Sequence, residues 1–292
     1  MSNTEEEETP LASAAAAAVF VRRGLKGSFA KPKTTRIITI VNQKGGVGKT
    51  TSAVNLAAAM GLAGLNVLVI DLDPQGNAST AFGIDHYEDA SGSFDVLLDG
   101  ASIAEMISPA QGFESLWVLP ATLDLAGADI ELITSVPELA RPFLLKVALT
   151  QFLADHEMDY VFIDCPPSLG LLTINALAAV QEVLIPIQCE FYALEGVQQL
   201  LRTIEFVKER LNPELDVSTI LLTMYNPSTN LSTSVVEEVR GYFGNKVLDT
   251  VIPRSTYVAE APSFGQSVMT YDPGSTGAVA YLAAAREITD RK

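Results

Sequence analysis

The sequence predicts an α/β fold of three layers, a mostly parallel, twisted sheet with helices on both faces. Three observations carry that prediction. Short apolar runs rich in β-branched residues recur at 37–41, 66–70, 160–164, 183–187, 217–224 and 246–252. Helix-like segments stand between them, as parallel strands buried on both faces require. The first run leads directly into a glycine-rich loop, Lys44-Gly45-Gly46-Val47-Gly48-Lys49-Thr50-Thr51, that opens a helical pattern.

Composition sets the scale. A chain of 292 residues, 48% hydrophobic, has the material for one large domain, expected over residues 36–292. Residues 1–35 hold four acids in a row (Glu5, Glu6, Glu7, Glu8), an alanine run and a basic stretch ending in Lys31-Pro32-Lys33, with little periodic apolar pattern, so a disordered tail is expected there. No apolar run approaches the roughly 20 residues of a membrane span, and acids stand where a secretory signal carries positive charge. A cytoplasmic protein is the expectation. Cys165 and Cys189 each end an apolar run without C-x-x-C spacing, and the histidines are only His86 and His156. Buried free thiols follow, and zinc or iron–sulfur sites do not. The net charge is −16, and residues 37–292 carry 31 acids against 13 bases. Such a body is repelled by DNA phosphates unless its cations cluster on one face.

Taken in order, the elements explain what the loop is for. Its glycines let successive N–H groups turn inward, and the helix beginning at Thr50 adds the positive end of its dipole, so the loop reads as a phosphate cradle. Lys49 is placed to reach the β- and γ-phosphates, and the Thr50 hydroxyl to ligate Mg²⁺. This is the P-loop NTPase arrangement with one departure from G-x-x-x-x-G-K-[ST]: Gln43 replaces the first glycine and a second lysine, Lys44, opens the loop. A small-residue helix over 50–62 stops near Gly64. The strand at 66–70 then delivers Asp71 and Asp73, which two-residue alternation places on one side, a pair suited to a metal–water site; Pro74 and Gly76 turn the chain there.

Helical patterns follow at 94–98, 103–107 and 139–152, with a strand at 116–119 whose Trp117 belongs to the core. The run at 160–164 ends in Asp164, the strand-end carboxylate of a Walker B arrangement that holds a water on Mg²⁺. A helix at 171–180 and a strand at 183–187 come next. Over 194–211, Leu194, Val197, Leu200, Leu201, Ile204 and Val207 fall at spacings of three or four, an amphipathic helix. A strand at 217–224, a helix at 232–243 and a strand at 246–252 bring the turn Pro253-Arg254-Ser255 to the sheet edge that carries the phosphate loop. A helix over 276–288 closes the chain.

The loop at 44–51, Asp71-Leu72-Asp73-Pro74-Gln75-Gly76-Asn77, Val161-Phe162-Ile163-Asp164-Cys165-Pro166-Pro167-Ser168 and Glu260-Ala261-Pro262-Ser263-Phe264-Gly265 together resemble the ParA/Soj chromosome-partitioning ATPases, the deviant Walker A class of the MinD/ParA superfamily. The resemblance spans residues 36–290 and takes in 188–196 and 222–225. It implies ATP and Mg²⁺ as cofactors and a homodimer in the ATP state with nucleotide sandwiched between subunits. Lys44 would reach across to the partner's phosphates, Lys49 would serve its own subunit, and Asp73 would position the attacking water. Gly45, Gly46, Val47, Gly48 and Thr51 would complete the phosphate site, Thr51 at the α-phosphate. Thr50 would bind the metal directly, Asp71 and Asp164 through water. Met224, Pro253, Arg254 and Ser255 match the family's base pocket.

The same resemblance implies a ParB-like activator and DNA bound without sequence preference, which would make the protein nucleoid-associated. Two positions depart from the family. Ser228, in Asn226-Pro227-Ser228-Thr229, and Tyr257 stand where many relatives carry DNA-contacting arginines. Losing two phosphate-pairing cations per subunit weakens non-specific binding. Arg254, Arg240 and Lys246 are the candidates for a replacement patch, with the basic tail. The alternative is a ParA-like switch that positions a division or other protein assembly. A MinD-like membrane ATPase is disfavoured by the C-terminal stretch 283–292, which has little apolar face.

Overall fold

The computed structural model describes residues 27, 29–86, 90–191 and 193–291. Of the tail expected over residues 1–35, residues 1–26 and 28 lie outside them. Eight strands form one sheet: β1 (Arg36–Ile40), β2 (Val67–Asp71), β3 (Ser108–Pro109), β4 (Leu116–Leu119), β5 (Tyr160–Asp164), β6 (Glu182–Gln188), β7 (Asp216–Tyr225) and β8 (Val247–Pro253), in the order β3-β4-β2-β5-β1-β6-β7-β8. All pairings are parallel except β3 with β4. The strand order reverses beside β1, and that is where open α/β sheets leave a crevice for ligands.

Because side chains alternate across a strand, each β-branched run supplies two cores. Ile38, Ile40, Tyr160 and Phe162 pack on one face against α1 (Lys49–Leu62) and α11 (Thr276–Asp290). Alanines at 57, 58, 59, 284 and 285 are buried between these helices, and their small size allows the close approach that seats α1 behind the loop. Ile37, Val161 and Ile163 face the other core, covered by α4 (Ala128–Ser135), α5 (Leu144–Asp155), α6 (Leu171–Ala179), α7 (Glu195–Arg210) and α8 (Asn230–Phe243). Smaller helices α2 (Asn77–Ala81), α3 (Ile103–Met106), α9 (Thr256–Glu260) and α10 (Val268–Tyr271) complete the layers.

Several expected elements shift for local reasons. The helix expected over 139–152 begins only at Leu144, because Pro142 sits in a 3₁₀ turn, Arg141–Phe143, and lacks the N–H a longer helix needs. The pattern at 94–98 is a single π turn, Asp95–Asp99. The two-residue edge strand β3 is too short to leave a periodic signal, and its proline is tolerated only at an edge. Both cysteines are buried free thiols.

The folded body also starts before β1. Phe29 is buried in the α1–α11 core, with the Arg286 guanidinium 5.8 Å from its ring centroid, and the Gly27 N–H donates to the Ala63 carbonyl. Arg36 then ties three elements together. Its Nε and Nη2 donate to the Glu182 carboxylate at 2.7 Å each, and Nη1 to the Ile288 carbonyl at 2.6 Å. Burial works against the charge, but Glu182 more than offsets it and holds the guanidinium protonated. Removing one partner of a bidentate, largely buried pair leaves the other uncompensated. Arg36→Ala is expected to lose about 2–3 kcal/mol of stability in urea unfolding, and a loss under about 0.5 kcal/mol would show the pair to be solvated.

At the far end of α11, Glu287 accepts from the N–H groups of Asp249 (2.7 Å) and Thr250 (3.0 Å) in β8. Burial alone would raise its pKa, but the Thr250 and Asp249 bonds lower it overall. A depressed folded-state pKa means stability that is present above the unfolded glutamate value of about 4.3 and lost as pH falls through the folded value. The stability gap between the native chain and Glu287→Gln is therefore expected to be about 1 kcal/mol near neutrality and to close below about pH 4. A gap that widens on acidification would contradict this.

Candidate functional site: a phosphate loop beside three carboxylates

Register places the site. Ile40 of β1 lies opposite Asp164 of β5, and Asp164 lies opposite Asp71 of β2, so the loops after all three strands leave the sheet at one height. The phosphate loop fills the gap between β1 and α1. Gly48 caps α1 at φ 90°, a left-handed conformation that side chains resist, and the loop is buttressed from β7, where the Thr223 hydroxyl donates to the Val47 carbonyl at 2.8 Å. Asn42 does the work at the entrance: its Nδ2 donates to the Pro186 carbonyl (2.8 Å) and its Oδ1 accepts from the Lys44 N–H (3.0 Å). Gln43, where the ordinary pattern has a glycine, does not take a positive φ.

The two lysines are stored differently. Lys49 is 7% exposed, and its Nζ lies 3.3 Å from the Lys44 carbonyl, folded back over the loop. Burial lowers its pKa, while Asp164 and Asp73 pull it up. Lys44 stands on the rim, its side chain 44% exposed, in an ion pair with Glu190 from the segment after β6.

The carboxylates divide as well. Asp71 is fully buried and occupied: it accepts from the Ser79 N–H (2.9 Å), the Ser79 hydroxyl (2.8 Å) and the Asp73 N–H (3.1 Å). Desolvation still pushes its pKa up to about 6. The chain leaves the strand at Asp71, so Asp73 sits in the following turn and not at the next alternate strand position. Gly76 closes that turn at φ 60°, and a Cβ there would lie 2.3 Å from the His86 ring. Asp73 is nearly buried and accepts from the Gln75 N–H (3.1 Å). Asp164 is the unsatisfied member. It is fully buried, neither oxygen receives a well-formed hydrogen bond from the described residues, and burial together with the Asp71 charge raises its pKa well above the carboxylate range.

Those features fit a magnesium ion. An orphaned buried carboxylate beside the Thr50 hydroxyl has unused acceptor capacity for the waters of a hydrated ion. Mg²⁺ prefers that situation, keeping several waters and taking its other ligands from phosphate.

The base-pocket candidates meet at the β7–β8 end of the same edge. Tyr225 lies opposite Pro253, and the Arg254 N–H donates to the Tyr225 carbonyl at 3.0 Å. Met224, next to the loop-bracing Thr223, has φ 53°, the one positive φ at a non-glycine among the described residues. Backbone strain of this kind persists only where surroundings enforce it, and it concentrates at functional sites. Ser255 precedes α9, and Ser228 and Tyr257 are exposed nearby.

The expected patch of Arg254, Arg240 and Lys246 does not form. Lys246 precedes the first residue of β8 and Arg254 follows its last, which separates them by about 26 Å. Lys246 instead pairs with Asp216 at 2.8 Å, and Arg240 donates to the Asp249 carbonyl at 3.0 Å. Sequence proximity to the turn misled here because the strand between them is extended.

Asn42, Ser79, Glu190 and Thr223 were not singled out from the sequence. Asn42 carried a usable signal, an Asx residue directly before a tight loop; the other three act through tertiary contacts alone.

A phosphate loop at the switch point of a mostly parallel sheet, with Lys49, Thr50 and a strand-end aspartate converging on it, defines a P-loop ATPase. Comparison with known proteins narrows the class. The model of an AAA domain matches residues 35–217. Sporulation initiation inhibitor protein Soj of Bacillus subtilis is 50% identical over 253 residues, 87% of this chain and 98% of that protein. Chromosome partitioning protein ParA of Myxococcus xanthus is 49% identical over 256 residues, 88% of each chain. Among solved structures, cobyrinic acid a,c-diamide synthase from Mycobacterium smegmatis with bound ADP and magnesium superposes with a TM-score of 0.73 at 37% identity, covering 86% of this chain and 93% of that one. The chain belongs to the ParA/Soj family of chromosome-partitioning ATPases.

Proposed function

We propose that this ATPase forms a homodimer around two sandwiched ATP molecules and, with a ParB-like activator, drives chromosome or plasmid segregation. The observation that carries the reading is the division of the lysines. Lys49 lies inside its own loop, whereas Lys44 stands on the rim, where it can reach beyond its own subunit.

In this reading Lys49 and the N–H groups of 45–51 hold the β- and γ-phosphates, and Lys44 neutralises charge on the partner's nucleotide. Thr50 would hold Mg²⁺ directly and Asp71 and Asp164 would hold it through water, and the ion would supply charge stabilisation to the phosphates. Asp73, free of the Ser79 contacts that occupy Asp71, orients the attacking water. Met224 and the Pro253-Arg254-Ser255 turn flank the base. Phosphoryl transfer depends chiefly on positioning and charge stabilisation, so a lysine supplied across an interface couples hydrolysis to dimerisation.

A second reading, a switch that positions a protein assembly and binds DNA weakly or not at all, is favoured by a specific observation. Ser228 and Tyr257 are exposed, and of the replacement cations Lys246 pairs with Asp216 and Arg240 donates to the Asp249 carbonyl. Retention on non-specific duplex DNA with Mg-ATP, followed over a salt series, separates the two. The segregation reading expects ATP-dependent retention that weakens steeply with salt; no retention even at low salt leaves the positioning switch.

No helix among the described residues is long and apolar enough to cross a membrane.

A further inference from the structure

One motif that carries the family resemblance, Glu260-Ala261-Pro262-Ser263-Phe264-Gly265, has no part in the chemistry above. It lies in the segment that leaves the turn at Pro253-Arg254-Ser255, passes through α9 and ends in α10. The fold brings that segment back to the phosphate end of the nucleotide site. Pro262, Gln266 and Val268 share a cavity of about 220 Å³ with Thr50 and Thr51 from the first turn of α1 and Asn77 from α2. Gly265 makes the approach to α2 close: it has φ 64°, and an added Cβ would lie 3.3 Å from the Gly83 Cα.

Asn55 joins the segment to α1. It stands one turn beyond Thr51 and is only 3% exposed. Its Nδ2 donates to the Thr51 carbonyl at 2.7 Å, and its Oδ1 accepts from the Val268 N–H at 2.8 Å. Both partners are backbone groups, one able only to accept and the other only to donate, so the orientation of the amide is fixed. Aspartate at this position would keep only the acceptor, and an aliphatic side chain would keep neither. Val268 is the first residue of α10, where an N–H has no partner within its own helix. Position 55, far away in the chain, supplies that partner.

The geometry points to Asn55 as a positioning residue that makes the phosphate end of α1 and the segment 261–272 open and close as one unit, so that nucleotide held at Thr50 and Thr51 also orders the segment. This rests on the reading, proposed above, that the phosphates sit over 45–51; it does not require a second subunit. A ligand stabilises whatever must stay closed for it to bind. Opening of the segment breaks the Val268 bond and leaves a buried amide oxygen without its donor beside Thr51, a cost that the phosphate-bearing turn shares.

The test is amide hydrogen exchange, read by mass spectrometry on the full chain with and without saturating Mg-ADP. In the native chain the nucleotide is expected to slow exchange about tenfold or more over both 44–51 and 261–272. In Asn55→Ala the slowing should persist over 44–51, within about threefold of the native factor, and disappear over 261–272. Val268→Pro cuts the same bond from the other side and serves if Asn55→Ala does not fold. Proline is tolerated at the first position of a helix, and Ser267 before it is already extended at ψ 159°. The same selective loss is expected there. A purely structural bond would speed exchange over 261–272 in the variants without removing its response to nucleotide. A folded variant in which Mg-ADP still slows 261–272 as in the native chain therefore overturns the inference, and so does a native chain slowed over 44–51 alone; the phosphate reading stands in both cases. A native chain slowed over neither stretch overturns that reading, and this inference with it.

Discussion

Lys49→Ala is expected to abolish nucleotide binding, and Lys44→Ala to preserve it while removing the ATP-dependent dimer and hydrolysis. The contrast follows from where the two charges sit. Lys49 is almost wholly enclosed by the loop, Asp164 and Asp73, so removing it deletes the cation nearest the phosphates and leaves two buried acids facing them. Several charge-assisted contacts are lost together, and affinity for Mg-ATP should fall by about a hundredfold or more. The Lys44 side chain stands on the rim against Glu190, and Asn42 holds its backbone N–H. The Lys44→Ala variant should bind a fluorescent nucleotide within about threefold of the native chain yet hydrolyse ATP about 10²–10³ times more slowly, the scale of one electrostatic stabiliser of developing charge. Light scattering with Mg-ATP should find that variant monomeric. Equal losses of nucleotide affinity in the two variants would show that both lysines serve one subunit.

Asp73→Ala is expected to separate binding from chemistry in the opposite sense, with ATP bound, the dimer persistent and turnover reduced by about 10²–10⁴, the contribution of a positioned acid–base group. Asp73 is suited to that role because, among the described residues, the hydrogen bond its carboxylate accepts comes from the Gln75 N–H of its own turn. Asp71, two residues earlier, gives the control. Its oxygens hold the Ser79 N–H, the Ser79 hydroxyl and the Asp73 N–H, so Asp71→Ala strands buried donors and should cost about 2–3 kcal/mol of stability before any effect on turnover is read. If Asp73→Ala hydrolyses ATP at the native rate, the water is oriented by another group. Single-turnover measurements at saturating ATP distinguish the slow step from weak binding.

Most of the sheet was legible because parallel strands buried on both faces leave continuous β-branched runs, and β1, β5 and β6 fall where those runs lie. The loop was legible because phosphate binding at this site needs a contiguous stretch of backbone. The parts that were not legible have a common cause. The late start of α5 depended on a single proline whose effect a periodic count smooths over. Helix α4 has two of its aliphatic residues turned to water, so its pattern does not announce a buried face. The placement of Lys246 depended on how far an extended strand carries the chain from Arg254.

By itself the sequence determined the α/β class, the phosphate loop with its extra lysine, and the strand-end aspartates Asp71 and Asp164, because each is encoded in local spacing: strand period, glycine positions and a charge closing an apolar run. Only the tertiary structure decided what those groups do. It set Lys49 inside the loop and Lys44 on the rim against Glu190. It gave Asp71 to Ser79 and left Asp164 unsatisfied. Those outcomes depend on register between strands far apart in the chain, and on which donors burial happens to bring within 3 Å of a carboxylate. Local spacing does not encode either.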